Sequence, residues 1–257
     1  MSFDLANQDP FALLKRIYPT HVLYNTALSR VRDAEDDPER AHCLNHQVPE
    51  RVARWCAEHD ARITFVSTDL VFGERDAPEG GFSLDATPGP LHVYGRTKAA
   101  GEAAVLKAHP QGAAVVRLPL LFGPSCGAGV GASDSLLAAI DRGEHPGLFT
   151  DEFRTPLDVR DAAAATIECL RARRVVGLVH VAGPERISRF ELGRRVLRAH
   201  GWSAQDIDRV LRPTTRAAAG LAEQRAGDVS LDASWARDSL ETRLRGIDEA
   251  LADRLPG

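Results

Sequence analysis

The chain has 257 residues, 44% of them apolar, and a formal net charge of −4, enough for a full core in one large domain or in a domain with a lobe. Its arginines are interspersed with acids, which excludes a general nucleic-acid footprint, and no run approaches membrane-spanning length. Met1-Ser2-Phe3-Asp4 lacks the basic and apolar regions of a leader, and Cys43, Cys56, Cys126 and Cys169 are scattered without a C-x-x-C, so free thiols in a reducing cytoplasm are expected.

Apolar runs bounded by turn residues alternate with helical patterns along the chain. Residues 21–27 (HVLYNTA) read as a strand, residues 38–59 as a helix interrupted at Pro49, and residues 62–67 (RITFVS) as a second strand. Residues 73–92, rich in Gly, Pro and acids, form an exposed loop leading into a helix over 94–109. Residues 113–118 (AAVVRL) and 178–182 (LVHVA) are strands, and helices are expected over 133–142, 158–171, 188–200 and 233–244. Buried strands alternating with amphipathic helices predict an α/β fold, a Rossmann-like doubly wound parallel sheet covered on both faces. Residues 1–123 would be an incomplete dinucleotide-binding core. Residues 124–257 would mainly form a smaller C-terminal substrate lobe, with about 155–182 returning to the core.

Tyr94 and Lys98 are four apart on the second predicted helix and so share one face. Of 32 basic residues only three are Lys, so a Lys at this spacing from one of three Tyr asks for an explanation. A free phenol titrates near pH ~10 and is a poor proton donor or base at neutral pH; a nearby ammonium favours the phenolate. Thr68, at the end of a strand, supplies a hydroxyl able to hydrogen-bond the same substrate oxygen. Together they can protonate a carbonyl oxygen while hydride reaches its carbon.

Ser67-Thr68-Asp69-Leu70-Val71-Phe72-Gly73, then Tyr94-Gly95-Arg96-Thr97-Lys98 and Glu102, resemble the extended short-chain dehydrogenase/reductases, in particular the dTDP-4-dehydrorhamnose reductase-like proteins. The similarity continues through Asp33-Ala34-Glu35-Asp36-Asp37-Pro38-Glu39, Asn45, His180-Val181-Ala182-Gly183-Pro184-Glu185 and Asp228-Val229-Ser230-Leu231-Asp232. The resemblance implies NADPH- or NADH-dependent reduction of a nucleotide-linked 4-keto sugar. Tyr94 would be the general acid, Lys98 its partner and ribose ligand, and Thr68 the auxiliary hydroxyl; Asn25 would lie beside the cofactor and Asp69 near the sugar. A different class is also open: a non-catalytic subunit that keeps the fold and binds a nucleotide sugar or a partner.

The family opens with a strand, a glycine-rich turn and a helix that receive the cofactor pyrophosphate. This chain begins at what corresponds to a later point, Phe3-Asp4-Leu5-Ala6, so a βαβ beginning of about 30 residues or more is expected to be lost or to lie upstream of Met1. A sheet without that strand would expose its edge, predicting a homodimer or poor solubility. Leu70 stands where the rhamnose reductases usually have Tyr, and Leu118-Pro119-Leu120 replaces a Thr-Ser-Trp-like stretch; both changes strip polar or aromatic groups from the sugar pocket.

Three further features are weighed against plainer readings. Gly127-Ala128-Gly129-Val130-Gly131-Ala132 matches G-x-G-x-x-A, but Phe122 to Cys126 separates it from its strand, so a flexible loop over the substrate pocket is expected. His42 and His46, with Cys43, lack a third ligand at a recognisable spacing and read as a solvated helix face rather than a metal site. Arg225 suits a nucleotide diphosphate bidentately, or is a surface Arg in a polar loop.

Overall fold

The structure is a computed structural model that describes residues 5–125 and 131–253. Helix α1 (Pro10–Ile17) precedes strand β1 (His21–Tyr24), and α2 (Val31–Asp36), α3 (Pro38–His42) and α4 (Val48–Glu58) lead to β2 (Arg62–Thr68). Helix α5 (Val93–Ala108) connects β2 to β3 (Ala113–Leu118). The short strand β4 (Leu121–Phe122), helix α6 (Ala132–Asp141) and the short strands β5 (Gly147–Phe149), β6 (Phe153–Arg154) and β7 (Leu157–Asp158) follow. Helix α7 (Val159–Arg171) then crosses to β8 (Gly177–His180). Beyond it lie β9 (Ile187–Ser188), α8 (Arg189–Ala199), α9 (Ala204–Val210), β10 (Arg212–Thr214), α10 (Ser234–Ser239) and α11 (Ile247–Ala252).

The four strands expected from the sequence form one parallel sheet, in the order β1-β2-β3-β8. Their near-continuous apolar sequence follows from cover on both faces. Ile63, Phe65, Ala113 and Val115 pack with Val52 and Trp55 of α4 and Val105 of α5. The alternate residues Ala114 and Val116, with Val179, meet Ala162, Ala165 and Cys169 of α7. Burying a side chain such as Phe65 contributes about 1.5–3 kcal/mol. A separate apolar cluster joins β4, α6, α8, α9 and α11 through Phe122, Leu136, Leu192, Val196, Ile207 and Ile247. On the β1 side of the sheet Ile17, Tyr18 and Leu23 are exposed. Among the described residues no helix is long and apolar enough to cross a membrane.

Two helices differ from expectation for local reasons. The helix expected over 38–59 breaks earlier than Pro49, through a π-helical turn at Cys43–Gln47, and Pro49 sits in the first turn of α4. Proline lacks the N–H that would bond the carbonyl four residues back, that of Asn45, and its ring clashes there; the wider turn relieves both problems. Helix α10 stops at Ser239 because Glu168 of α7 captures the N–H groups of Glu241 and Thr242 at 2.8 and 2.9 Å, bending the chain away.

Candidate active site

Strand β2 ends on Thr68, whose hydroxyl accepts the N–H of Leu70 at 3.2 Å and so caps a 3-10 turn at Asp69–Val71. That turn lies against the first turn of α5, where a Cβ on Gly95 would fall 2.1 Å from the Leu70 carbonyl oxygen. Only glycine permits this approach. It brings Tyr94 to the end of β2, where it lines the same cleft as Thr68. Glu35 holds the start of α5 by accepting the Val93 N–H at 2.8 Å.

A second close approach fixes the middle of α5. A Cβ on Gly101 would fall 2.1 Å from the carbonyl oxygen of Asn45, the residue in the π turn. The buried Asn45 amide accepts from Leu28 N at 3.0 Å and donates to the Leu28 carbonyl at 3.3 Å and to Thr97 Oγ1 at 3.0 Å. Asn45 thereby ties the loop after β1 to the helix that carries Tyr94 and Lys98.

Tyr94 and Lys98 are both buried. Lys98 Nζ donates to the Val66 carbonyl at 2.5 Å and lies 3.7 Å from the centroid of the Phe65 ring. Burial pulls its pKa down to about 7, with Glu102 opposing. The Tyr94 phenol is pushed up to about 12 by burial, against the nearby Thr68 hydroxyl and with the help of Asp69. The phenol lowered by its lysine, expected from the sequence, is therefore not what the structure has: the ammonium is turned onto a backbone carbonyl, and desolvation outweighs it.

Thr68, Asp69 and Tyr94 open into a cleft of about 550 Å³, within the usual range for a small-molecule site. Leu70, Pro119 and Leu120 line it, so the apolar replacements noted in the sequence do face the pocket. Its opposite wall is charged. Glu152 is clasped by Arg225 at 2.7 and 3.0 Å and lies 3.3 Å from Arg154. Burial would raise the Glu152 carboxyl, but Arg225, Arg154 and Arg189 outweigh it and hold the pKa low. Arg154 Nε is also 3.5 Å from Asp69 Oδ2. Arg189, at the start of α8, completes the lining, and its Nη1 is enclosed with no hydrogen-bond partner among the described residues.

Of the residues singled out from sequence, Thr68, Asp69, Tyr94 and Arg225 meet in this cleft, and Lys98 lies buried on the same helix as Tyr94. Asn25 does not line it; it is exposed just past the carboxyl end of β1. Glu152, Arg154 and Arg189 were missed. Arg154 ends a two-residue strand and Glu152 just precedes it, a stretch too short for periodicity to register, and a charged pair two apart was their only signal. Gly131 precedes α6 and lines the cleft, while Gly127 to Val130 lie outside the described residues. The His42 and His46 rings meet edge to face at 4.6 Å, and the described residues hold no cluster of three metal donors.

A nicotinamide dinucleotide fits in part. Tyr94, Lys98 and the open carboxyl end of β1 suit its reactive end, whereas the described residues include no glycine-rich strand–turn–helix for its pyrophosphate.

Comparison with known proteins agrees with the geometry. The model of the RmlD substrate binding domain family matches residues 2–256. The chain is 34% identical over 240 residues to dTDP-4-dehydrorhamnose reductase of Mycolicibacterium smegmatis, covering 90% of this chain and 68% of that one. It is 31% identical over 187 residues to methionine adenosyltransferase 2 subunit beta of Xenopus tropicalis, covering 70% of this chain and 54% of that protein. The solved structure of dTDP-4-dehydrorhamnose reductase from Bacillus anthracis in complex with NADP shares the fold, with a TM-score of 0.82 at 21% identity over 94% of this chain and 82% of that one.

Proposed function

Because the chain belongs to the RmlD substrate binding domain family, we propose that it reduces a nucleotide-linked 4-keto sugar with NADPH or NADH. The observation that carries this reading is the placement of Tyr94 and Thr68 in one cleft with Arg154, Arg189 and Arg225. What the cofactor supplies when bound is a hydride for the carbonyl carbon. Tyr94 gives its proton to the carbonyl oxygen as charge develops there, and Thr68 hydrogen-bonds the same oxygen. Lys98 offsets the phenolate that Tyr94 becomes and, with Asn25, would hold the nicotinamide ribose. Asp69 meets the sugar. Arg225 and Arg189, whose guanidinium planes match phosphate oxygens, would receive the diphosphate.

The test is an assay of dihydronicotinamide oxidation with nucleotide-linked 4-keto hexoses. Tyr94→Phe removes the proton donor and is expected to lower kcat by about 10²–10⁴-fold while leaving nucleotide binding, read by calorimetry, largely intact. An unchanged kcat in Tyr94→Phe would overturn the reading.

A further inference from the structure

A threonine hydroxyl has one hydrogen and two lone pairs to place, and Thr68 has placed its hydrogen on a neighbouring carboxylate. It donates to Asp69 Oδ1 at 3.1 Å and accepts the Leu70 N–H at 3.2 Å. In this arrangement the Thr68 hydrogen is not free for a substrate oxygen. The Thr68 hydrogen has to turn before the reaction can use it.

We propose that Asp69 is a positioning residue whose ionisation sets the direction of the Thr68 hydroxyl: charged, it holds the hydrogen on its own Oδ1; neutral, it frees that hydrogen for the reacting oxygen. This rests on the reductase reading above. Asp69 is buried, and its Oδ2 has no hydrogen-bond partner among the described residues, although Arg154 stands 3.5 Å away. A proton placed on Oδ2 therefore breaks no hydrogen bond. Oδ1 then becomes a neutral acceptor, roughly half as strong as a carboxylate oxygen, and an alkoxide developing in the cleft wins the Thr68 hydrogen. Tyr94 protonates the same oxygen.

The groups facing Asp69 leave both states accessible. Arg154 on β6 and Arg189 at the start of α8 favour the anion, and Glu152 beside β6 opposes it. Tyr94 on α5 and His92 just before it complete the wall. Burial outweighs the rest and raises the Asp69 carboxyl to about 6.

The proposal is tested by carbon NMR titration of the Asp69 carboxyl, assigned with Asp69→Asn. The wild-type midpoint is expected near pH 6, and Thr68→Val, which removes the donor to Oδ1, should raise it by about one pH unit. A midpoint unmoved by Thr68→Val overturns the proposal. In the reductase assay, wild-type kcat should fall as pH rises through that midpoint. The permanently neutral Asp69→Asn should flatten the profile; an altered KM with the slope retained would mean that Asp69 only binds substrate, and overturns it too. A wild type that turns over no 4-keto nucleotide sugar would sink the proposed function, and the titration would still decide the positioning.

Discussion

Helix α5 borders two charged regions that are closed to different degrees. Behind it, Glu102 accepts from Arg117 at 2.7 and 3.0 Å and from Ser67 at 2.5 Å. Arg117 reaches on to His180 Nε2 at 3.2 Å, and His180 Nδ1 lies 3.1 Å from the Asp232 carbonyl oxygen. Burial, then Arg117, pulls His180 down to about 4, so it is a neutral link. At the front, Asp69, Glu152, Arg154, Arg189 and Arg225 also lie close together, but Asp69 Oδ2 and Arg189 Nη1 are left without hydrogen bonds among the described residues. A fully satisfied network fixes a structure, while one with open valences has room to recognise a ligand. The difference separates the scaffold of this protein from its candidate site.

The largest effect should come from breaking the closed network. Glu102→Ala leaves Arg117 buried and unpaired, and denaturant unfolding should show a loss of about 3–5 kcal/mol. A loss below about 1 kcal/mol would erase the contrast between the regions.

The open region should behave in the opposite way. The Asp69 carboxyl is raised by burial from 3.8 to about 6, so the folded state holds that proton more tightly than the unfolded chain. Its contribution to stability is present below pH 4 and is lost as pH rises through about 6, amounting to about 2–3 kcal/mol. His180, whose pKa is depressed, adds stability with rising pH over part of the same range, so the test is the difference between wild type and Asp69→Asn. That difference should favour the variant above pH 6, and a flat difference would contradict the burial argument.

Lys98 should give a smaller gain. Its folded pKa is pulled by burial from 10.5 down to about 7, so the folded state binds this proton less tightly and stability rises with pH across that window. Lys98→Met should unfold about 1–2 kcal/mol later at pH 7, even though the Val66 carbonyl loses its donor, while turnover is lost. Asn25→Ala, at an exposed position, should change stability by less than about 0.5 kcal/mol. An effect confined to cofactor binding would place Asn25 beside the cofactor.

The sheet was legible because covered parallel strands such as Arg62–Thr68 are written as unbroken apolar runs. Thr68, Tyr94 and Lys98 were legible as a spaced set, and Asp69 through the family resemblance. What stayed hidden depends on tertiary contact. That Gly95 and Gly101 admit backbone oxygens at their Cβ positions is a property of the fold. Likewise, the direction of the Lys98 ammonium is decided by the Val66 carbonyl and the Phe65 ring, neither of which spacing reveals. The two-residue strand that carries Arg154 into the cleft, with Glu152 just before it, has no period to read.

The most direct test of the reductase account is a calorimetric titration of the 257-residue chain with NADPH and with NADH. The account predicts micromolar binding of at least one, weakened by Asn25→Ala. A chain shown to be folded that binds neither would contradict it.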